Sequence, residues 1–392
     1  MTKQGWLALM TGALFLTSCG EDKKAETVDP LAESRARPVI QNYAALTSAN
    51  YAEVVRQAHS LQEAIEAFVA NPTDATMAAA RAAWIEARVS YGQSEAYRFY
   101  GGPIDNEDTG PEGQINAWPL DEAYIDGVEE NYDAGIINAT EEYPELTQEL
   151  IASLNERDGE TNIASGYHAI EFLLWGQDVS ETGPGNRPPT DFVSGEETTR
   201  TNADRRRQYL SLVTKQLVED LESVEAQWKP TQGTYGQAFG AESPKAAVLK
   251  ILTGLGSLSG AELAGERMTV AYDNKDQEDE HSCFSDNTHA DLYNNALGIQ
   301  NVYLGRYGSV SGPGLSSLVA EVNPALDQKM KERLQASLDA IRAIPVPFDQ
   351  AILGADNSPG RQKVKAAIDA LRAQTDTLVE VATALGITLN LE

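Results

Sequence analysis

Apolar residues recur at alternating steps of three and four along several long stretches of this chain, a spacing that only the face of an α-helix satisfies. From Tyr51, the residues Val54, Ala58, Leu61, Ile65 and Phe68 fall on one stripe, which Asn71-Pro72 ends. The Ala-rich residues 75–89 continue in the same way. Leu210, Thr214, Leu217, Leu221, Val224 and Trp228 predict a long amphipathic helix, as do Leu326, Met330, Leu334, Leu338 and Ile341 before Pro345, and Val364, Ile368, Leu371, Thr375 and Leu378. No strand-length run alternates with period two between turn residues, so the fold class is all-α. Long helices joined by Gly/Pro-rich connections bury their stripes in bundles, and 392 residues exceed one ordinary bundle. Two helical-bundle domains are expected, 36–230 and 231–392, with the boundary in the punctuation from Lys229-Pro230 to Gly233. Residues 176–200, rich in Gly and Pro, are expected to form a surface excursion of the first domain.

The first residues set the compartment. Lys3 precedes an apolar run, Trp6 to Leu16, too short to span a bilayer and suited to a signal peptide. The run ends in Leu16-Thr17-Ser18-Cys19, which resembles the bacterial lipobox. Residues 1–18 then form the lipoprotein signal peptide, Cys19 carries the lipid that ties the chain to a membrane, and 19–35 are a flexible tether. Gly20 rather than an aspartate follows the cysteine, and the resemblance to Gram-negative lipoproteins then implies sorting to the outer membrane, facing the periplasm. With Cys19 so used, Cys283 has no partner within the chain, and stability must rest on packing. The 59 acidic side chains against 30 basic ones give a net charge of −29, which repels nucleic acid and concentrates cations.

Chemistry-bearing residues gather in two places. His168 and Glu171 stand three apart on an apolar helix and share a face. Such a pair can bind a metal, act as an acid and base, or hydrogen-bond inside a core. Neither HExxH nor HxxEH is present, because position 172 is Phe. The second place is the acidic stretch 273–291. Lys275 and Glu278 occupy the slots where an EF-hand needs an acidic oxygen and a glycine. His281, Cys283, Asp286 and His289 nevertheless supply nitrogen, sulfur and oxygen donors suited to a transition metal. Asp286-Asn287-Thr288 also reads as the cap of a helix beginning near Ala290.

Gly166-Tyr167-His168-Ala169-Ile170-Glu171 resembles the GxHxxE motif of imelysin-like proteins, and the segment from His281 to Thr288 is similar to one in their iron-regulated protein A branch. Trp84 to Arg88, the stretch through Tyr91, Glu95, Arg98 and Phe99 to Asp105, and Trp118-Pro119-Leu120-Asp121 resemble further blocks of the family. The resemblance implies two helical bundles with a site in the cleft between them and a role in iron acquisition. Carried over by position, His168, Glu171, Glu95, His281 and Asp286 would be metal ligands, with Gly166, Arg98, Asp121 and Cys283 around them. Arg98 would pair with Glu95 or with an anionic chelator carrying iron. The expected cargo is iron or an iron complex, with zinc or another divalent metal as the alternative, and an outer-membrane receptor or transporter is the partner such a role needs. The family's metallopeptidase label gives a second reading, and a structural surface lipoprotein a third.

Overall fold

The computed structural model describes Met1 and residues 29–391, apart from positions 181 and 197. The expected signal peptide and Cys19 lie outside the described residues. The fold is all-α. Its principal helices are α1 (Glu33–Ala70), α2 (Asp74–Ser94), α3 (Gly166–Trp175), α4 (Ala203–Trp228), α5 (Pro244–Ser257), α6 (Thr288–Leu304), α7 (Pro324–Arg342) and α8 (Pro359–Ala384). Among the described residues the named strands are two short ones, β1 (Arg306–Tyr307) and β2 (Val310–Ser311), paired antiparallel with Arg306 opposite Ser311.

The stripes predicted from spacing face the interior. Val54, Ala58, Leu61, Ile65 and Phe68 are buried, as are Leu217, Leu221 and Trp228 in α4 and Val364, Ile368 and Leu371 in α8. At about 25 cal/mol per Å² of apolar surface, each fully buried aliphatic side chain contributes roughly 1.5–3 kcal/mol. The first stripe extends further than its pattern from Tyr51 suggests, since Ala36, Ile40 and Tyr43 prolong it toward Glu33. Thr73 and Thr76 start α2 by exchanging hydrogen bonds, each side-chain oxygen accepting the other's backbone N–H.

Helix α5 starts at Pro244, with Ser243 accepting the Ala246 N–H, and runs without a break through a π-helical stretch, Leu258–Val270. By length and composition the Pro244–Asn274 helix is apolar enough to cross a bilayer, but 56% of its most apolar window is buried against this protein. The wide turn of the π segment places Arg267 in the interior, fully buried.

One continuous apolar core takes in side chains from α1 to α8. It passes through the expected domain boundary. Trp228, before Lys229-Pro230, packs edge-on against Tyr43 and against Tyr235 and Phe239 beyond it. The described residues of 176–200 hold one short 3-10 helix, Pro189–Phe192, and they do more than line the surface, since Phe192 packs against Phe68 and Arg187 and Asp191 are buried. That segment is a strap over the end of the first helices.

Candidate functional site

Every residue of α3 is buried. Its first residue, Gly166, has φ +82°, and a Cβ there would lie 2.5 Å from the Ile115 carbonyl oxygen. Glycine therefore lets the start of α3 press on residues 114–116. His168 and Glu171 follow on one face, with His168 Nδ1 2.9 Å from Glu171 Oε2. The other oxygen, Oε1, accepts from the Ser285 N–H at 3.0 Å and the Ser285 hydroxyl at 2.7 Å. Both oxygens of Glu171 are thus engaged. His168 Nε2 is buried and has no hydrogen-bond partner.

The second stretch delivers another imidazole beside the first. The rings of His168 and His281 lie 4.9 Å apart between centroids, at 67°. His281 repeats the same arrangement, because its Nδ1 is 3.0 Å from Asp291 Oδ2. Asp291 also receives the Ser282 hydroxyl at 2.6 Å and two hydrogen bonds from Arg88, Nε to Oδ1 at 3.2 Å and Nη2 to Oδ2 at 3.0 Å. Arg88 Nη1 reaches Asn116 Oδ1 at 2.6 Å. Asn116 Nδ2 then donates to Glu95 Oε1 at 3.1 Å and lies 3.5 Å from His281 Nε2. Glu95 is held by Arg267, by Arg98 at 3.2 Å and by Asn295 at 2.9 Å, and Arg98 also pairs with Glu112 at 2.9 Å.

Burial opposes ionisation of Asp291, but Arg88 and His281 overcome it and hold its carboxyl well below the ordinary range. Burial likewise opposes the charge on Glu95, and Arg267 and Arg98 bring it down to about 2. Burial pushes the Glu171 carboxyl up to about 8, with the Ser285 hydroxyl pulling the other way. Both imidazoles are kept neutral. Burial lowers His281 to about 4, with Arg267 adding to it, and burial with His281 lowers His168 well below its usual value. Since Asp291 is ionised, the His281 proton sits on Nδ1 and Nε2 carries a lone pair. A carboxylate fastened to one ring nitrogen is the arrangement that orients a metal-binding histidine.

The structure thus brings His168, Glu171 and His281 together and links Glu95 to them through Asn116. Asp286 is half-buried in a turn with φ +57°, next to the Ser285 that holds Glu171, and burial raises its carboxyl to about 7, with Asp349 and Asp178 adding to it. Asp121 is an exposed cap of the short helix Glu122–Ile125, accepting from the Ala123 N–H. The Cys283 thiol is pushed well up by burial and by Glu171, which disfavours the thiolate a metal would need. Helix α6 begins at Thr288, and Asn287 at its cap position turns its side chain to Asp291, so the expected side-chain cap does not form. Among the described residues no group of three or more His, Cys, Asp or Glu side chains is arranged to hold a metal ion. Arg88, Asn116, Arg267, Ser285, Asp291 and Asn295 had no assigned site role in the sequence. The one available signal was Arg88, a charge on the same stripe as Trp84, Ala87 and Tyr91.

Beside His281, whose ring meets the edge of Trp118 at 5.0 Å, a cavity of about 320 Å³ is lined by Trp118, Pro119, Glu262, Glu266, Val270 and Asp279.

The imelysin family profile, described as peptidase M75, matches residues 47–378. The chain belongs to the imelysin family. Iron-regulated protein A of Synechococcus elongatus is 27% identical to this imelysin-family chain over 344 residues, covering 84% of the chain and 80% of that protein. The crystal structure of a proposed iron-regulated protein A precursor from Parabacteroides distasonis superposes with a TM-score of 0.70 at 22% identity, over 90% of this chain and 96% of that one. An imelysin-like protein from Psychrobacter arcticum gives 0.62 at 13% identity, over 92% and 98%. At these identities the two structures establish a shared imelysin fold.

Proposed function

We propose that this imelysin-family protein is an exported, lipid-anchored protein of the outer membrane, facing the periplasm, that binds iron or an iron complex at His168 and His281 and supports its uptake. The observation that carries this reading is the buried, unpartnered Nε2 of His168 beside a second imidazole, with His168 Nδ1 on the Glu171 carboxyl and His281 Nδ1 on the Asp291 carboxylate. Iron is cargo here. The relatives' names contain iron-regulated, and imidazole nitrogen is a donor that iron accepts. Glu171 and Asp291 then orient the rings. Two nitrogen ligands leave other coordination positions to water or to a chelator's own oxygens, which favours a complex or partly hydrated ion over a closed zinc cage. The acidic wall of the cavity beside Trp118 would draw a cation toward His281.

A peptidase of the zinc type needs a carboxylate free to take a proton from metal-bound water. Both Glu171 oxygens are already engaged, so binding is the better-supported function.

Purified protein incubated anaerobically with Fe(II), and separately with Fe(III) citrate, should retain about one iron per chain by elemental analysis. His168→Ala and His281→Ala should lose it while keeping their helical circular dichroism. Undiminished iron in both variants removes the site. The anchor rests on Cys19 and is checked by fractionating Gram-negative cells: the full chain should stay with membranes and Cys19→Ala should enter the soluble fraction. Equal distribution of the two rejects lipidation.

A further inference from the structure

The chain that follows α3 encloses a cavity of about 210 Å³, whose walls include Trp175, Gly176, Val179, Arg187, Pro188 and Arg200. Gly176 closes α3 eight positions beyond His168, about 12 Å along a helix axis, so this space is separate from the two histidines. Arg187 is 8% exposed. It pairs with Asp126 Oδ2 at 2.6 Å and with Asp191 Oδ2 at 3.7 Å, both through Nη1. The Phe172 ring lies 5.2 Å from its guanidinium carbon, and its Nε is buried without a hydrogen-bond partner. That Nε adjoins the cavity wall, since a Cβ built on Gly176 would stand 3.4 Å from it. The edge of a guanidinium formed by Nε and Nη2 is one that takes both oxygens of a carboxylate, and here it is unspent. Arg200 joins it. Its guanidinium rests on the exposed Tyr132 ring at 4.2 Å, donates to the Gly127 carbonyl at 3.4 Å and makes no ion pair among the described residues.

In a chain of net charge −29 this corner is positive. Arg81, Arg187, Arg200 and Arg206 stand against three carboxylates, Asp126, Asp191 and Glu129. Asp126 is shared by Arg187 and Arg206, and Asp191 accepts the Thr199 hydroxyl at 2.5 Å. One positive charge is left over. The carbonyls that end α3 would repel an anion, but they are occupied: Arg81 donates to Leu174 at 2.7 Å and the Arg187 N–H to Trp175 at 2.7 Å. A donor on a buried charge that lacks an acceptor is costly, and an oxyanion in the cavity would remove that cost.

We propose that this cavity binds the carboxylate of a small organic acid, with the Arg187 edge and the Arg200 guanidinium meeting its oxygens. A single uncompensated charge matches a carboxylate better than the greater charge of a phosphate. Trp175, Pro188 and Val179, the last 67% exposed, give the acid's carbon skeleton an apolar wall. The small volume excludes larger ligands. Glu129, exposed on the same wall, opposes the anion and weakens its binding.

The test uses the full purified protein, freed of metal on a chelating resin and titrated calorimetrically at pH 7.5 with sodium acetate, lactate or benzoate, and with phosphate and chloride at matched ionic strength. At least one carboxylate should bind one to one in the millimolar range or tighter, with phosphate weaker and chloride silent. Arg200→Gln breaks no ion pair among the described residues, so it should fold as the parent does and weaken the carboxylate about tenfold. Arg187→Lys keeps the charge opposite Asp126 but loses the fork, and should weaken it too. Glu129→Gln should strengthen it about twofold. His168→Ala should bind as the parent does. No carboxylate binding beyond that of chloride, tighter binding of phosphate, parental affinity in Arg200→Gln, or loss in His168→Ala overturns the proposal.

Discussion

Asp291 and Asp349 are equally hidden from solvent, yet their surroundings are opposite. Asp291 is met by Arg88, His281, Ser282 and Asn287, and its charge is held against burial. Among the described residues no basic side chain figures in what shifts Asp349, and its carboxyl is raised by burial, with backbone N–H groups at the start of its own helix easing it. Desolvation weighs more heavily on Asp291 than on Asp349, and still Asp291 is the one held ionised, so the counter-charge supplied decides which buried acid settles as an ion. Around Asp291 the chain supplies its own, and the result is a rigid frame for an imidazole. Around Asp349 none is supplied, and burial keeps its carboxyl raised.

The largest effect that sharpens this contrast should come from Asp291→Asn. It leaves Arg88 buried opposite a neutral amide, and breaking a buried pair by removing one partner costs about 3–5 kcal/mol. His281 loses its orienting carboxylate at the same time. Urea unfolding should register the full loss, and iron retained by the folded fraction should drop with it. A cost below about 1 kcal/mol would mean that the Arg88 network does not carry the weight its geometry implies.

The helices were legible because a stripe such as Leu210 to Trp228 is a local pattern, written by residues within a few turns of one another. The packing of Trp228 against Tyr43 and Phe239, which carries one core across the expected boundary at Lys229-Pro230, is a distant relation that punctuation alone does not reveal. The π-helical stretch carrying Arg267 looks like ordinary helix in sequence. At the site, the pairing of His168 with Glu171 followed from a spacing of three, and the presence of His281 from the resemblance. Asp291 was the last member of an acidic run and looked like solvated surface. Its role depends on Arg88, 203 positions earlier. The sequence also did not show that the turn at Asp286 sets the neighbouring Ser285 on Glu171, 114 positions earlier.

A smaller effect distinguishes self-compensated acids by their response to pH, and Asp126 is the cleanest case because it lies away from the histidines. Arg187 Nη1 is 2.6 Å from its Oδ2, and Arg206 reaches both oxygens at 2.7 and 2.8 Å. Burial alone would raise this carboxyl, but the two guanidinium groups hold it well below the usual aspartate range. A depressed folded-state pKa means that the unfolded chain takes up the proton first. The stability Asp126 contributes is therefore fully present above the unfolded aspartate value near pH 4, and is lost as pH falls from there toward the folded value, on the order of 2–3 kcal/mol. Measured by urea unfolding from pH 6 to pH 2.5, the gap between the parent and Asp126→Asn should stay constant down to about pH 4 and then narrow. A gap that holds its width into acid would show that the two arginines stabilise this loop by packing and backbone hydrogen bonds, such as Arg206 to the Asp191 carbonyl, and that charge pairing at Asp126 is incidental.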